Sequence, residues 1–166
     1  MLKKNLKSAI SALFGALLIV GLAGCSAAGP NAETRKIRQV TDGVEGTSGS
    51  IKALNVLLVT QEDGSAVLVG TFVNSSETSD AITSITANGI LGEISVSTLD
   101  QYSGPAIFEG ESKNSSAKFL GLNAKASDHV ELEVSFANSA PMKLSALVRA
   151  KTDIYANVGN PENVEN

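Results

Sequence analysis

Between Val130 and Phe136 the chain reads Val-Glu-Leu-Glu-Val-Ser-Phe, with apolar and polar side chains in strict alternation. A period of two places the apolar groups on one face of an extended strand and the polar groups on the other. The turn-forming Asn138-Ser139-Ala140-Pro141 follows, after which Met142, Leu144, Ala146, Val148 and Ala150 alternate with Lys143, Ser145 and Arg149. The two runs read as an antiparallel hairpin with one face in a core. A second hairpin is expected from residues 53–60 and 66–74, with Asp63-Gly64 supplying the turn chemistry between them. Residues 34–40, 81–87, 93–97, 106–109 and 117–122 are further strand segments, and nothing after Leu22 carries a convincing amphipathic helical pattern. About 8–9 short strands predict an all-β domain, an antiparallel Greek-key β-sandwich.

The start of the chain obeys a different rule. Met1 to Lys7 is basic, residues 9–22 are uncharged and apolar, and Leu22-Ala23-Gly24-Cys25-Ser26 follows. The order is that of a secretory signal, and the apolar run is shorter than the roughly 20 residues a spanning helix needs. The segment around Cys25 resembles the lipobox of bacterial lipoproteins. That resemblance implies a signal peptide over 1–24, cut before a diacylglycerol-bearing Cys25, and hence a membrane-anchored lipoprotein carrying palmitate-type chains. Cys25 is the chain's one cysteine, so lipidation also accounts for an exported thiol with no disulfide partner. Two or more acyl chains anchor stably where one does not. Residues 25–33 are then the lipidated cysteine and a flexible tether, 34–151 the sandwich, and 152–166 a disordered polar tail rich in Asn.

Residues 1–24 hold three of the 13 Lys+Arg and none of the 17 Asp+Glu, which leaves 10 against 17, a net charge of −7. An acidic domain without a basic cluster argues against nucleic acid and anionic headgroups as partners. Tryptophan is absent and aromatics make up 4%, so platforms for stacking sugars are scarce. Catalytic templates fail on inventory. The chain has one histidine, His129, and after Met1 one methionine, Met142. No Gly-x-Ser-x-Gly, calcium-loop or phosphate-loop motif occurs. The chain reads as a non-enzyme, with no cofactor; His129 and Met142, with nearby carboxylates, are the only candidate metal ligands it offers.

Two stretches carry a second resemblance. Val67 to Ser76 (Val-Leu-Val-Gly-Thr-Phe-Val-Asn-Ser-Ser) followed by Asp80-Ala81-Ile82-Thr83-Ser84-Ile85, and later Phe119-Leu120-Gly121-Leu122 with the 130–136 and 142–148 runs, resemble periplasmic copper(I) chaperones of the PCuAC family. The likeness spans about residues 51–150. It implies a cupredoxin-like sandwich, immunoglobulin-like in its Greek-key connections, and a copper site of two histidines and two methionines. The family's ligand positions fall at Ser116 and Lys118 and near Glu93 and Val96, none of which replaces a soft donor for Cu(I). The chain is also similar to diverged actinobacterial lipoproteins that commonly lack the metal motif.

The function expected from this reading is a non-catalytic envelope lipoprotein. It is held on the extracytoplasmic face of the cell membrane through Cys25 and presents its sandwich to an envelope protein or component. The contact loops expected from length and composition are residues 41–50, with Asp42 and Glu45, and 99–105, with Tyr102. The alternative is a divergent copper- or metal-handling chaperone with a non-standard site.

Overall fold

The structure is a computed structural model that describes residues 42–95, 97–100, 104–110 and 112–160. The expected signal peptide, Cys25, the tether and the strand over 34–40 lie outside the described residues. Those described form eleven strands: β1 (Val44–Ser48), β2 (Ile51–Thr60), β3 (Ala66–Asn74), β4 (Asp80–Ala87), β5 (Ile90–Leu91), β6 (Glu93–Ile94), β7 (Ser97–Leu99), β8 (Ala106–Phe108), β9 (Ala117–Phe119), β10 (His129–Phe136) and β11 (Met142–Arg149). The alternation therefore predicts the class correctly, an all-β sandwich. The count exceeds the expected eight or nine because several strands are only two or three residues long.

One sheet centres on β2, which pairs with β3 along one edge and with β1 and then β11 along the other; β8 and β9 continue from β3, and β6 from β9. The second sheet runs from β11 through β10 to β4, with β5 and β7 beyond. Every pair is antiparallel except β11–β2, where Val148 and Arg149 run parallel to Leu58 and Val59. β5 and β6 succeed one another through Gly92, so the two ends of the strand order meet in one extended segment and the sheet is nearly closed. Between the layers lie Ile51, Val56, Leu58, Leu68, Phe72, Ile85, Phe108, Phe119, Leu132 and Val148, all fully buried. Phe72 and Phe108 meet edge to face with ring centroids 5.6 Å apart, a geometry that adds to simple area burial.

A bulge in β2 governs this packing. The register moves from Leu54↔Thr71 to Leu57↔Val69, leaving Asn55 and Val56 opposite Gly70. Asn55 takes a left-handed φ of 51°, which Asn tolerates better than most residues, and its Oδ1 accepts a hydrogen bond of 2.8 Å from the Gly43 amide. Gly70 is extended beyond the usual range, at φ 153°, and a Cβ there would sit 3.0 Å from Val56 Cγ2. The extra residue shifts the side-chain phase by one. Ile51 and Ala53 point inward before it, Val56 and Leu58 after it, and Leu57 and Val59 face outward. Outward does not mean exposed. Leu57, Val59 and Val67 are covered by Val158 and Tyr155 of the C-terminal segment.

That segment corrects the expected tail. Residues 152–160 include a 3-10 turn at Asp153–Tyr155 and lie on the outer face of the β2–β3 pair, with Val158 buried; 161–166 lie outside the described residues. Its ties are polar: Tyr155 Oη donates to Asp42 Oδ2 at 2.8 Å, and Lys151 Nζ donates to Gln61 Oε1 at 2.9 Å and Asn160 Oδ1 at 2.7 Å. Both apolar clusters are built from residues 44–158, so the unit carries its own core. The expected loop at 41–50 is corrected too. Most of it is β1, zipped to β2 from Ser48↔Ile51 onward, because Gly46 interrupts the apolar alternation that would have marked a strand. The single strand expected over 93–97 divides into β6 and the start of β7.

The Asn74 and Asp80 pair, conspicuous in the sequence, fastens loops. Asn74 Nδ2 donates to the Thr78 and Leu99 carbonyls, and Oδ1 accepts from Ser50 Oγ and the Ser76 amide. Asp80, 6% exposed, accepts from the amides of Ala81, Asn138 and Ser139 at 2.8–2.9 Å. It thereby ties the start of β4 to the β10–β11 turn. Burial pushes the Asp80 carboxyl up, but the hydrogen bonds from Ser139, Ala81 and Asn138 outweigh it and hold the group below its ordinary value. A depressed folded pKa gives stability that is present at neutral pH and lost as pH falls through the folded value.

Urea unfolding should therefore rank three variants. Phe72→Ala should cost about 3–5 kcal/mol through the cavity it leaves, and Asp80→Ala about 1–3 kcal/mol through orphaned amides. Leu91→Ser, at a 66% exposed position, should stay within about 0.5 kcal/mol of the parent. Asp80→Asn should also flatten the loss of stability below pH ~4.

Candidate functional site

The β6–β9 ladder brings together positions that are far apart in sequence. Glu93 is the Cα partner of Lys118 and Ile94 that of Ala117. One step further, the Ser95 amide donates to the Ser116 carbonyl at 3.0 Å, and the Ser116 amide donates to Ser95 Oγ at 2.8 Å. Ala117 and Phe119 face the core, while Ser116, Lys118 and Glu93 face out. Gly92 closes the corner against the Phe119 ring, where a Cβ would come within 2.7 Å of Cε1. Three of the four positions that the sequence resemblance assigned to metal ligands, Glu93, Ser116 and Lys118, thus meet on one outward face. The fourth, Val96, lies outside the described residues.

The chemistry of that face is hard and charged. Lys118 Nζ pairs with Asp63 Oδ2 of the β2–β3 turn at 3.2 Å. Asp63 is held at about 2, first by the Ser65 hydroxyl and amide, which both donate to Oδ1, and then by Lys118. Beside this pair a groove of about 540 Å³ is floored by Val67 and walled by Gln61, Glu62, Lys151 and Asn160. At this position a cation would find a carboxylate and two hydroxyls but no imidazole or thioether, and a lysine ammonium adds positive charge beside it. These donors do not fit soft Cu(I). Among the described residues no cluster of three or more His, Cys, Asp or Glu could hold a metal ion.

The candidate ligands named from composition are not brought together. His129 opens β10 opposite Leu147, exposed; Met142 opens β11 opposite Val134 with 4% exposure, inside the core. Those two rungs lie five residue steps apart along β10, roughly 17 Å at the strand rise, and the side chains occupy opposite faces. Of the expected contact residues, Glu45 is exposed on β1 rather than on a loop. Asp42 is engaged: its carboxylate accepts from Tyr155 Oη and pairs with Arg149 Nη2 at 2.9 Å. Those two partners, Tyr155 first, hold its pKa below the ordinary value. Tyr102 and Cys25 lie outside the described residues. The Lys118–Asp63 pair had a sequence signal only in part, since Asp63-Gly64 marks a turn but nothing local says which strand it faces.

No family model matches the chain, and no curated protein matches it. Solved structures do. An apo PCuAC domain from PmoF1 superposes with a TM-score of 0.55 at 14% identity, over 64% of this chain and 99% of that one. A copper-bound PCuAC domain from PmoF2 gives 0.55 at 17%, over 64% and 98%. The apo PmoF2 domain gives 0.53 at 15%, over 66% and 98%. The fold is PCuAC-like. It is the cupredoxin-like sandwich that the resemblance implied, and at these identities the likeness speaks for the fold.

Proton titration followed by carboxyl NMR should place Asp63 near 2 in the parent. Ser65→Ala should raise it more than Lys118→Met does, because the hydroxyl is the stronger of the two influences. The reverse order would mean that the ion pair, and not the turn, orients this carboxylate.

Proposed function

We propose that this chain is a divergent copper-handling domain, held by a lipid on Cys25 at the extracytoplasmic face of a membrane, with a non-standard site on the β6–β9 ladder. The observation that carries the proposal is the PCuAC-like fold, which matches PCuAC domains over 98–99% of their length, one of them copper-bound. The ladder supports it by keeping Glu93, Ser116 and Lys118 on one face. Oxygen donors from Glu93, Ser95 and Ser116 favour a harder ion such as Cu(II) over Cu(I), and with lower affinity than an imidazole and thioether set. A second reading, a non-catalytic binding module, is favoured by one specific observation: the soft donors are missing from that face.

Copper competition titrations on residues 26–166 separate the two. The parent should take Cu(II) weakly, with binding reduced in Glu93→Gln, and should compete poorly for Cu(I). The fourfold variant Glu93→His, Val96→Met, Ser116→His, Lys118→Met should gain Cu(I) affinity by on the order of a hundredfold if the ladder holds the four positions together. No copper binding by the parent, and no gain in the variant, leaves the binding module.

A further inference from the structure

The C-terminal segment covers the outer face of β2 and β3 without joining either strand. Its backbone-to-backbone hydrogen bonds run from Thr152 to Ala150, Tyr155 to Thr152, Ala156 to Asp153, Val158 to Tyr155 and Asn160 to Asn157. All of them close within residues 150–160, and none reaches a strand among the described residues. The cross-ties all involve a side chain: Tyr155 Oη to Asp42, Lys151 Nζ to Gln61, and the Gly159 amide to Glu109 Oε2 at 3.3 Å. The 3-10 turn buries no residue, its Thr152 makes no side-chain cap bond, and Ile154 stands 81% exposed. The strands beneath are held by their own ladder, Leu57 with Val69 and Val59 with Val67. A segment tied in this way opens at a lower free energy than the sheet it covers.

Opening orphans little that is polar. Asp42 keeps Arg149 Nη2 at 2.9 Å, Gln61 keeps the Val59 carbonyl through Nε2, and Lys151 and Glu109 are already part-exposed. The cost is apolar, since Leu57, Val59 and Val67 lose the cover of Val158 and Tyr155. The same contacts define what the face accepts. A hydroxylated aromatic reaches Asp42, a small aliphatic side chain seats on Leu57, Val59 and Val67, and a glycine follows it. A Cβ on Gly159, where φ is 74°, would lie 3.0 Å from Val67 Cγ2, so a larger residue there would press the segment off the sheet. Tyr155-Ala156-Asn157-Val158-Gly159 meets all three conditions.

We propose that residues 152–160 are a displaceable strap: they open as a unit while the sandwich stays folded, and the uncovered Leu57–Val59–Val67 face docks a partner protein segment of the same Tyr-x-x-Val-Gly pattern. The occupant follows from the strap itself, which shows the side chains that this face seats. Because the strap is tethered, it competes with any segment in trans at a high effective concentration and so sets the threshold for docking. The contact needs no metal, and it holds under either reading of the function.

The test has two parts, both by NMR on residues 26–166 with a chelator present. In the parent, the Tyr155, Ala156 and Val158 amides should exchange with one common protection factor, at least about a hundredfold below that of the β2–β3 ladder. Gly159→Ala should lower it for all three and leave the ladder unchanged. The second part adds the capped peptide Tyr-Ala-Asn-Val-Gly-Asn to the double variant Tyr155→Ser, Val158→Ser, whose own strap cannot seat. Saturable shifts should be confined to Leu57, Val59, Gln61, Val67 and their neighbours. Affinity should be at least about tenfold above that of the parent for this peptide, and above that of the variant for Tyr-Ala-Asn-Ser-Ala-Asn. Strap amides that exchange in step with the ladder, equal binding by parent and variant, equal binding of the control peptide, or no saturation would overturn the proposal. Self-association of the variant without peptide would overturn it in favour of a second copy on this face. The chelator keeps the outcome separate from the copper titrations, since either result can fail alone.

Discussion

The β2–β3 ladder and the bulge in it are the constraint on which the other elements depend. With Asn55 and Val56 set against Gly70, β2 changes phase midway. Its first half gives Ile51 and Ala53 to the space between the sheets, and its second half gives Val56 and Leu58 to the same space. The phase change turns Leu57 and Val59 to the opposite face, where burial in water's absence requires a cover. The C-terminal segment provides it through Val158 and Tyr155. A domain of this size gains most of its stability from such apolar burial, so the bulge decides both what fills the core and what must lie outside it. Because the same β2 is paired with β1 and then β11 along its other edge, the bulge also marks where one neighbour gives way to the next.

Around this frame the polar groups serve as fasteners. Asp80 gathers one amide from its own strand and two from the β10–β11 turn, and Asn74 bonds both backbone and side-chain groups. Asp42, Arg149 and Tyr155 join the start of the described domain to the segment that covers β2. These bonds each contribute little net energy, yet each would be costly to leave unmade in a place shielded from water. No buried side-chain nitrogen or oxygen among the described residues lacks a hydrogen-bond partner.

The β6–β9 ladder shows how backbone geometry and surface chemistry can be set independently. The backbone closes at Gly92 and holds Glu93 against Lys118, so positions far apart in sequence meet at fixed spacing. What stands there is a carboxylate, hydroxyls and an ion pair with Asp63. Backbone hydrogen bonds and the Phe119 contact maintain the ladder without reference to its outward side chains. The outward residues are therefore open to change at small cost in stability, and the surface chemistry can alter while the sandwich stays.

The sequence by itself determined the class of fold and the longer strands, because side-chain alternation is a local property and the burial of one face follows from it. β10 and β11 are legible in this way from Val130 to Arg149, and the second hairpin from its Asp63-Gly64 turn. The sequence also determined that soft metal donors are scarce, since a count of His, Cys and Met needs no geometry. Only the tertiary structure decided what covers Leu57 and Val59. The uninterrupted run Val56-Leu57-Leu58-Val59 announces burial on both faces, but a polar segment with one valine gives no local sign that it will supply the cover. Only the tertiary structure, likewise, separated His129 from Met142, which a register of five residues and opposite faces keep apart, and joined Lys118 to Asp63. Long-range pairing depends on register and on the bulge, and neither is written in any stretch short enough to be read alone.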